Sequence, residues 1–563
     1  MPRPDAQDRL GTHEVSNQPP LRGDGDLWAD DPVLRDHARG ADAAALAAFG
    51  AVYGRAEMRE TGRAANRAPP ELRLFDAGGR RLDEVAFHPA YHALMDAGLG
   101  HGYAALPWEG AQGGHETHAA MVYMATQVDP GTCCPMTMTY AAIPALRAEP
   151  ALEEAWRPKL LSRGHDPRVL PLSEKRGATL GMAMTEKQGG SDLRATTTRA
   201  EPADGHWRLT GHKWFCSAPM SDGFLTLART GAGLTCFLVP RWLEDGRNRV
   251  RLQRLKDKLG NRSNASAEIE YDGAVAHRLG PEGEGIRTIL EMVHHTRLDT
   301  ALAPAGLMRA AIVEAHHWVL HRTAFQRRLI DQPLMRAVLA DLVLDWEGAT
   351  ALGLRVARAF DAPAERGFAR LSVALAKFHA NKLCLRVVAE AMEAMGGIGY
   401  VEDTPLPLFY REAPLNGIWE GSGNVICLDI LRTLSREPEA GPRLAAELDA
   451  ARGADRTYDT ALALHRTRWP GLPEQAEARW FTERSALLLA ASVLLRQAPP
   501  AVAEGFIATR LVDDRGHTAG AVGGLDTAAI LARLQTSSRK KYSRGEREGG
   551  GQPPSLPGCP PSA

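Results

Sequence analysis

The sequence predicts an α+β multidomain protein: an N-terminal helical domain, a middle β-domain, a C-terminal four-helix bundle and one further helical domain. Three observations carry that prediction. Alanine-rich helical runs occupy about residues 41–179, and short strand-type runs separated by turn signals occupy 180–285. Long helical periodicity then returns at 286. The 563 residues leave room for about three to five domains.

Composition narrows the class. The chain is 44% hydrophobic and 24% charged, as in globular proteins with large cores. Its net charge of −1 gives no whole-molecule field for nucleic acid or membrane, so a nucleic-acid site has to be a local patch. Seven cysteines, an odd number without a CxxC pair, argue against a disulfide framework and a zinc site and for a reducing cytoplasm. The first ten residues lack the apolar core of a signal peptide. The most hydrophobic run, 486–495, lies between Arg484 and Arg496. It is too short for a bilayer, which needs about 20 residues, and reads as a buried helix. A cytoplasmic protein without membrane contact is expected.

Taken in order, residues 1–40 are rich in Pro, Asp and Gly and read as a loose arm. Residues 41–179 carry runs such as ADAAALAAF and are read as helical. In 180–285 the runs HWRLTGHKWFCS, FLTLART, LTCFLVP, VRLQRL and AEIEY alternate with Asp204-Gly205 and Asp272-Gly273 turns. Residues 286–434 form the bundle, with segments such as LADLVLDWEGATALGLRVARAF. Residues 435–536 are helical, arginine-rich and free of lysine; 537–563 are basic and then Gly/Pro-rich, a disordered tail.

Four stretches carry chemistry. Met184-Thr-Glu-Lys-Gln-Gly-Gly-Ser-Asp192 pairs two glycines with hydroxyls, so its backbone can approach a ligand and donate to it; for the glycines taken alone a plain polar turn is the favoured reading. Lys213-Trp-Phe-Cys-Ser217 puts an aromatic face beside small polar groups, and a core tryptophan is the competing reading. Gly396-Gly-Ile-Gly-Tyr400 breaks two helices and has no preceding strand, which excludes a dinucleotide fingerprint. Ile418-Trp-Glu-Gly-Ser-Gly-Asn424 sets Glu420 beside an aromatic residue at a helix start, as a desolvated base or as an ordinary helix-start acid.

In this order and spacing the stretches resemble the acyl-CoA dehydrogenase superfamily, together with KDKLGNRSNAS (256–266) and Arg322-Thr-Ala-Phe325. The helical extension resembles the superfamily's alkylation-response branch. The resemblance implies FAD, with Thr185 and Ser191 bonding it and Met184, Gly189 and Gly190 shaping the loop. It implies that Trp214, Phe215, Cys216 and Ser217 line the isoalloxazine, and that Trp419, Gly421, Ser422 and Asn424 hold the cofactor from the other side. Arg322, Phe325, Gly396 and Gly397 would reach the FAD of a neighbouring subunit in a homotetramer. Glu420 matches the catalytic base that takes the α-proton of an acyl-CoA. Departures from the family pattern are Cys216 for a threonine, Gln326 for a glycine, Glu393 for a glutamine, and Trp419 and His294 at the acyl pocket.

Two further readings remain. Glu314, His317 and His321 share a helix face, but without another ligand cluster no metal is expected. Arginines of the extension, above all Arg466, Arg468, Arg479 and Arg484, can face phosphates, although nearby acids nearly balance them. The resemblance tips the balance toward double-stranded DNA, bound without sequence specificity, with at most weak acyl-CoA dehydrogenase activity. A true dehydrogenase of an unusual acyl-CoA, and a flavin that only stabilises the fold, are the alternatives.

Overall fold

The computed structural model describes residues 6–535; the tail read over 537–563 lies outside the described residues. The arm ends earlier than expected. Leu27, Val33 and Leu34 are buried, and Asp31 caps a helix at Pro32–His37 by accepting from the Leu34 N–H. Apolar side chains, invisible in a count dominated by Pro, Asp and Gly, anchor that half of the segment. The helical N-terminal domain also contains a β-hairpin, Glu71–Phe75 with Arg81–Ala86, closed by an Asp76-centred turn.

Two helices of this domain position the site, α1 (Gly114–Thr126) and α2 (Pro130–Leu146). Every residue of α1 is buried, so it forms the centre of the domain. Asp129 starts α2 by accepting from the Thr132 N–H at 2.9 Å, and Pro130 stands where a missing N–H costs nothing.

The middle domain is one seven-stranded sheet: β1 (Leu180–Ala183), β2 (Arg199–Ala203), β3 (His206–Ser217), β4 (Gly223–Thr230), β5 (Gly233–Pro240), β6 (Val250–Leu255) and β7 (Ser266–Leu279). The order is β6-β7-β3-β2-β4-β1, and β5 bridges β4 and β7, which closes the sheet on itself. Along β3 and β7, Cys216 faces Ala267 and Lys213 faces Ile269. Trp214 and Phe215 therefore oppose a single residue. This bulge at the sheet rim re-aims both aromatic side chains.

The bundle consists of α3 (Gly285–His321), α4 (Pro333–Phe360), α5 (Arg366–Met395) and α6 (Gly423–Arg436). The extension adds α7 (Ala478–Gln497) among shorter helices, and residues 486, 488–491, 493 and 494 of the apolar run are fully buried. Buried ion pairs join it to α4: Arg510 to Asp341 at 2.6 Å and Asp345 at 2.8 Å, and Arg533 to Glu347 at 2.9 Å. Among the described residues no helix is long and apolar enough to cross a membrane.

Between α3 and α4, Thr323 pairs with Arg328 and Ala324 with Arg327. The two residues at the tip, Phe325 and Gln326, have φ of 51° and 60°. This tight hairpin needs a left-handed backbone at both positions, which costs a side-chain-bearing residue ~1–2 kcal/mol. Gln326→Gly, which restores the residue the family pattern has here, is expected to stabilise the fold by ~0.5–1 kcal/mol, read as a higher thermal midpoint; an unchanged or lower midpoint would show that the strain is relieved elsewhere.

Candidate functional site

Glu420 stands in the left-handed region, at φ 57°, and Gly421 follows at 100°. Such strain on a non-glycine residue persists only where the surroundings enforce it. Here they do. Arg297 of α3 donates Nε–H to the Glu420 carbonyl at 3.1 Å, and is itself held by Asp429 of α6 at 2.6 Å. Lys377 of α5 donates to the carbonyls of Asn416 at 2.7 Å and Gly421 at 3.0 Å. The Glu420 carboxylate accepts from the Thr296 hydroxyl at 2.7 Å. Burial raises its pKa, against the Thr296 bond and the charges of Arg297 and Lys377. Burial also pushes Lys377 down to about 7, with Arg297 and Lys382 adding to the effect and Glu420 opposing it. Trp419, the residue before Glu420, donates its indole N–H to Asn416 Oδ1 at 2.7 Å.

Next to Thr296, α2 and α3 bring together a polar wall. Thr137 bonds Asp299 at 2.5 Å and Tyr103 at 3.2 Å, and Asp299 takes His118 Nε2 at 2.8 Å. Asp299 lies one turn along α3 from Thr296, so this wall continues from the base itself.

The loop expected to cradle a cofactor is built from the β-domain. The Trp214 N–H donates to the Thr185 carbonyl at 2.7 Å, which brings the stretches 184–192 and 213–217 together. A Cβ on Gly190 would lie 3.1–3.2 Å from the Thr185 side chain, so the chain at that point admits no side chain without displacing it. Glu186, wholly inside, anchors the loop: it accepts from Lys213 Nζ at 2.8 Å, from Thr198 Oγ1 at 2.6 Å and from the Thr197 N–H at 2.7 Å. Burial raises its pKa, but Lys213 and these bonds outweigh it and hold Glu186 at about 2.

The predicted residues divide. Met184, Thr185, Gly189, Gly190, Trp214 and Ser217 are partly buried at the rim, while Ser191 and Phe215 are exposed. Lys256 Nζ sits 3.3 Å over the Trp214 ring, a cation–π contact that covers one face. Cys216 is a correction: its side chain is fully buried in the sheet's own core, because the bulge at 214–215 changes which face position 216 occupies. It offers a ligand at most its backbone. Ser422 and Asn424 open α6, and Asn424 accepts from Arg479 at 2.9 Å. Phe325 is 88% exposed, and Gly396 (φ 68°) and Gly397 have open space around them. Among the described residues no hydrogen bond ties Arg322, Phe325, Gly396 or Gly397 to either loop. Arg322 instead donates to the Asn17 carbonyl at 2.7 Å, and the Asn17 amide pairs with the backbone of Thr323. His294 stacks on Phe360.

Sequence reasoning missed Thr296, Lys377, Glu186, Asp299 and Asn17. Glu186 and Lys213 stood inside quoted motifs, whereas Thr296 and Lys377 act from helices 124 and 43 positions away from residue 420 and left no local signal. No group of three or more His, Cys, Asp or Glu that could hold a metal is found among the described residues.

The four arginines chosen as phosphate contacts also divide. Arg466 is paired with Asp449 at 2.9–3.0 Å, and Arg468 stacks 3.6 Å over Trp480 and reaches Glu477. Among the described residues Arg479 and Arg484 bond only neutral acceptors, Asn424 and the carbonyls of Arg510 and Leu511. With Lys382, Arg386 and Arg515 they line a groove of about 790 Å³ between α5 and the extension.

Comparison with known proteins matches three segments of the chain to family models. The N-terminal domain of adaptive response protein AidB matches residues 17–167, the acyl-CoA dehydrogenase middle domain 181–274, and the acyl-CoA dehydrogenase C-terminal domain 283–435. AidB of Escherichia coli strain K12 is 46% identical over 519 residues, 90% of this chain and 95% of that one. Acyl-CoA dehydrogenase family member 11 of Caenorhabditis elegans is 31% identical over 72% of this chain and 69% of its own. The crystal structure of Caenorhabditis elegans ACDH-11 in complex with C11-CoA superposes with a TM-score of 0.80 at 26% identity, covering 97% of this chain and 98% of that one.

Proposed function

Because this chain belongs to the acyl-CoA dehydrogenase family, in its AidB-like branch, we propose that it is a FAD-binding protein with an acyl-thioester site at Glu420. The residues present fit the cofactor. The loop 184–192 offers backbone N–H groups and the Thr185 and Ser191 hydroxyls beside a glycine that clears the way, and Ser422 and Asn424 stand at the opening of α6. When bound, FAD supplies the hydride acceptor for the substrate's β-carbon. The chain's own part is to place a base. Glu420, desolvated and locked in a strained backbone, takes the α-proton, and Arg297 and Lys377 hold its peptide in position. That strained, doubly anchored carboxylate is the observation that carries the reading. The test is anaerobic titration of the yellow protein with a panel of acyl-CoA thioesters: bleaching by at least one is expected, and none by any would leave the flavin as structural.

A second reading, DNA association in the response to alkylation damage, is supported by the groove. Duplex phosphates would meet Lys382, Arg479 and Arg484 there, rather than Arg466 and Arg468, which already have acidic or aromatic partners. Binding should be independent of sequence, and each phosphate contact contributes about −0.9 to the slope of log K against log salt. Reversing Arg479 and Arg484 to Glu is expected to flatten that slope by about 2. An unchanged slope would move the contact elsewhere. The resemblance extends to a homotetramer in a cytoplasmic setting, and the exposed Phe325, Leu334 and Tyr400 support association of the bundle with other copies.

A further inference from the structure

A cavity of about 340 Å³ lies between the N-terminal domain and the sheet. It sits at the start of β1 and β4, whereas the cofactor loop is attached to the end of β1. Its floor is apolar and buried: Tyr91, Met95 and Leu99 of the helix Pro89–Gly100, with Ala178. The opposite side carries Lys175, Ser221, Arg241 and Trp242.

The hydrogen-bond account there is one-sided. Arg241 is 7% exposed and reaches only the Met220 sulfur, at 3.2 Å, a weak acceptor. Its Nε and Nη2 lack a partner among the described residues, as do Trp242 Nε1 and Ser221 Oγ. The carboxylates lining the cavity are already taken. Asp222 pairs with Lys175 at 2.9 Å, Asp166 with Arg168 at 2.6 Å, and Glu84 with Arg247 at 3.0 Å. His92 and His165 bond one another at 3.0 Å, and an imidazole, neutral or cationic, supplies no negative charge to the guanidinium. A guanidinium does not shed its proton; the charges of Asp222, Glu84 and Asp83 attract Arg241, but no carboxylate hydrogen-bonds its free N–H groups among the described residues. Donors in surplus, acceptors exhausted and an apolar floor, at a volume within the range of small-molecule sites, describe a receptor for an acceptor-rich head on an apolar body.

We propose that this cavity binds a small organic anion, a carboxylate or a phosphate monoester, with its head on Arg241, Trp242 and Ser221 and its apolar part against Tyr91, Met95 and Leu99. The site is separate from Glu420 and joins two domains, so its occupancy braces the wall that leads through Ala218 to Ser217.

The test uses the full-length yellow protein, with thermal midpoints and calorimetric titrations of benzoate, hexanoate, phenyl phosphate and inorganic phosphate against chloride at matched ionic strength. At least one organic anion is expected to raise the midpoint saturably, and the carboxylate and phosphate arms identify the head group. Arg241→Met is expected to abolish that shift. Ser221→Ala, a milder change, is expected to weaken binding about tenfold, the effect of one lost hydrogen bond. The proposal is overturned if no anion acts beyond chloride, or if both variants bind as the parent does.

Discussion

Glu420→Gln protein is expected to keep its FAD and to lose flavin bleaching by acyl thioesters by about 10³-fold, within the range for removal of a general base. The amide preserves the Thr296 contact and the strained backbone held by Arg297 and Lys377, so only the ability to take a proton changes. In the parent, burial raises the pKa of Glu420. The base works only when ionised, so bleaching should rise with pH through a limb above the ordinary carboxylate range, and that limb should be absent from the variant. Stopped-flow absorbance across pH measures both. Equal rates in parent and variant would place the base on another residue.

The second large effect concerns the cofactor loop. Lys213→Met leaves Glu186 inside the sheet without its cation and is expected to cost ~3–5 kcal/mol, the usual consequence of breaking a buried pair. Glu186 is held at about 2, below its ordinary value, so its contribution is fully present above the ordinary carboxylate pKa and is lost as pH falls toward 2. Adding Glu186→Gln to Lys213→Met should recover part of the loss, because no lone charge then remains. The same variants should release FAD more readily, since Glu186 also holds Thr197 and Thr198 behind the loop. Urea midpoints and FAD content read the two effects separately. A Lys213→Met midpoint equal to the parent's would show that water reaches Glu186.

What the chain by itself determines is local. Period and turn chemistry specify helix or strand over the long stretches, though not the hairpin at 71–86 or the helix Pro32–His37, and a burial requirement on an apolar run such as 486–495 needs only its own composition. Glycines at 190 and 421 and a carboxylate at 420 are likewise readable, because a loop's backbone demands and its acid are written in adjacent positions. Tertiary structure decided the rest. Whether Cys216 faces a ligand depends on a one-residue bulge set by pairing with Ala267 and Ile269, strands that meet only in the folded sheet. Whether Arg466 is free for a phosphate depends on Asp449, 17 residues earlier, and Arg468 on Trp480, 12 residues later. The environment that turns Glu420 from an ordinary acid into a base comes from Thr296, Arg297 and Lys377 on two other helices. Desolvation and charge act through a few ångströms of space, and only the packed chain says which residues share them.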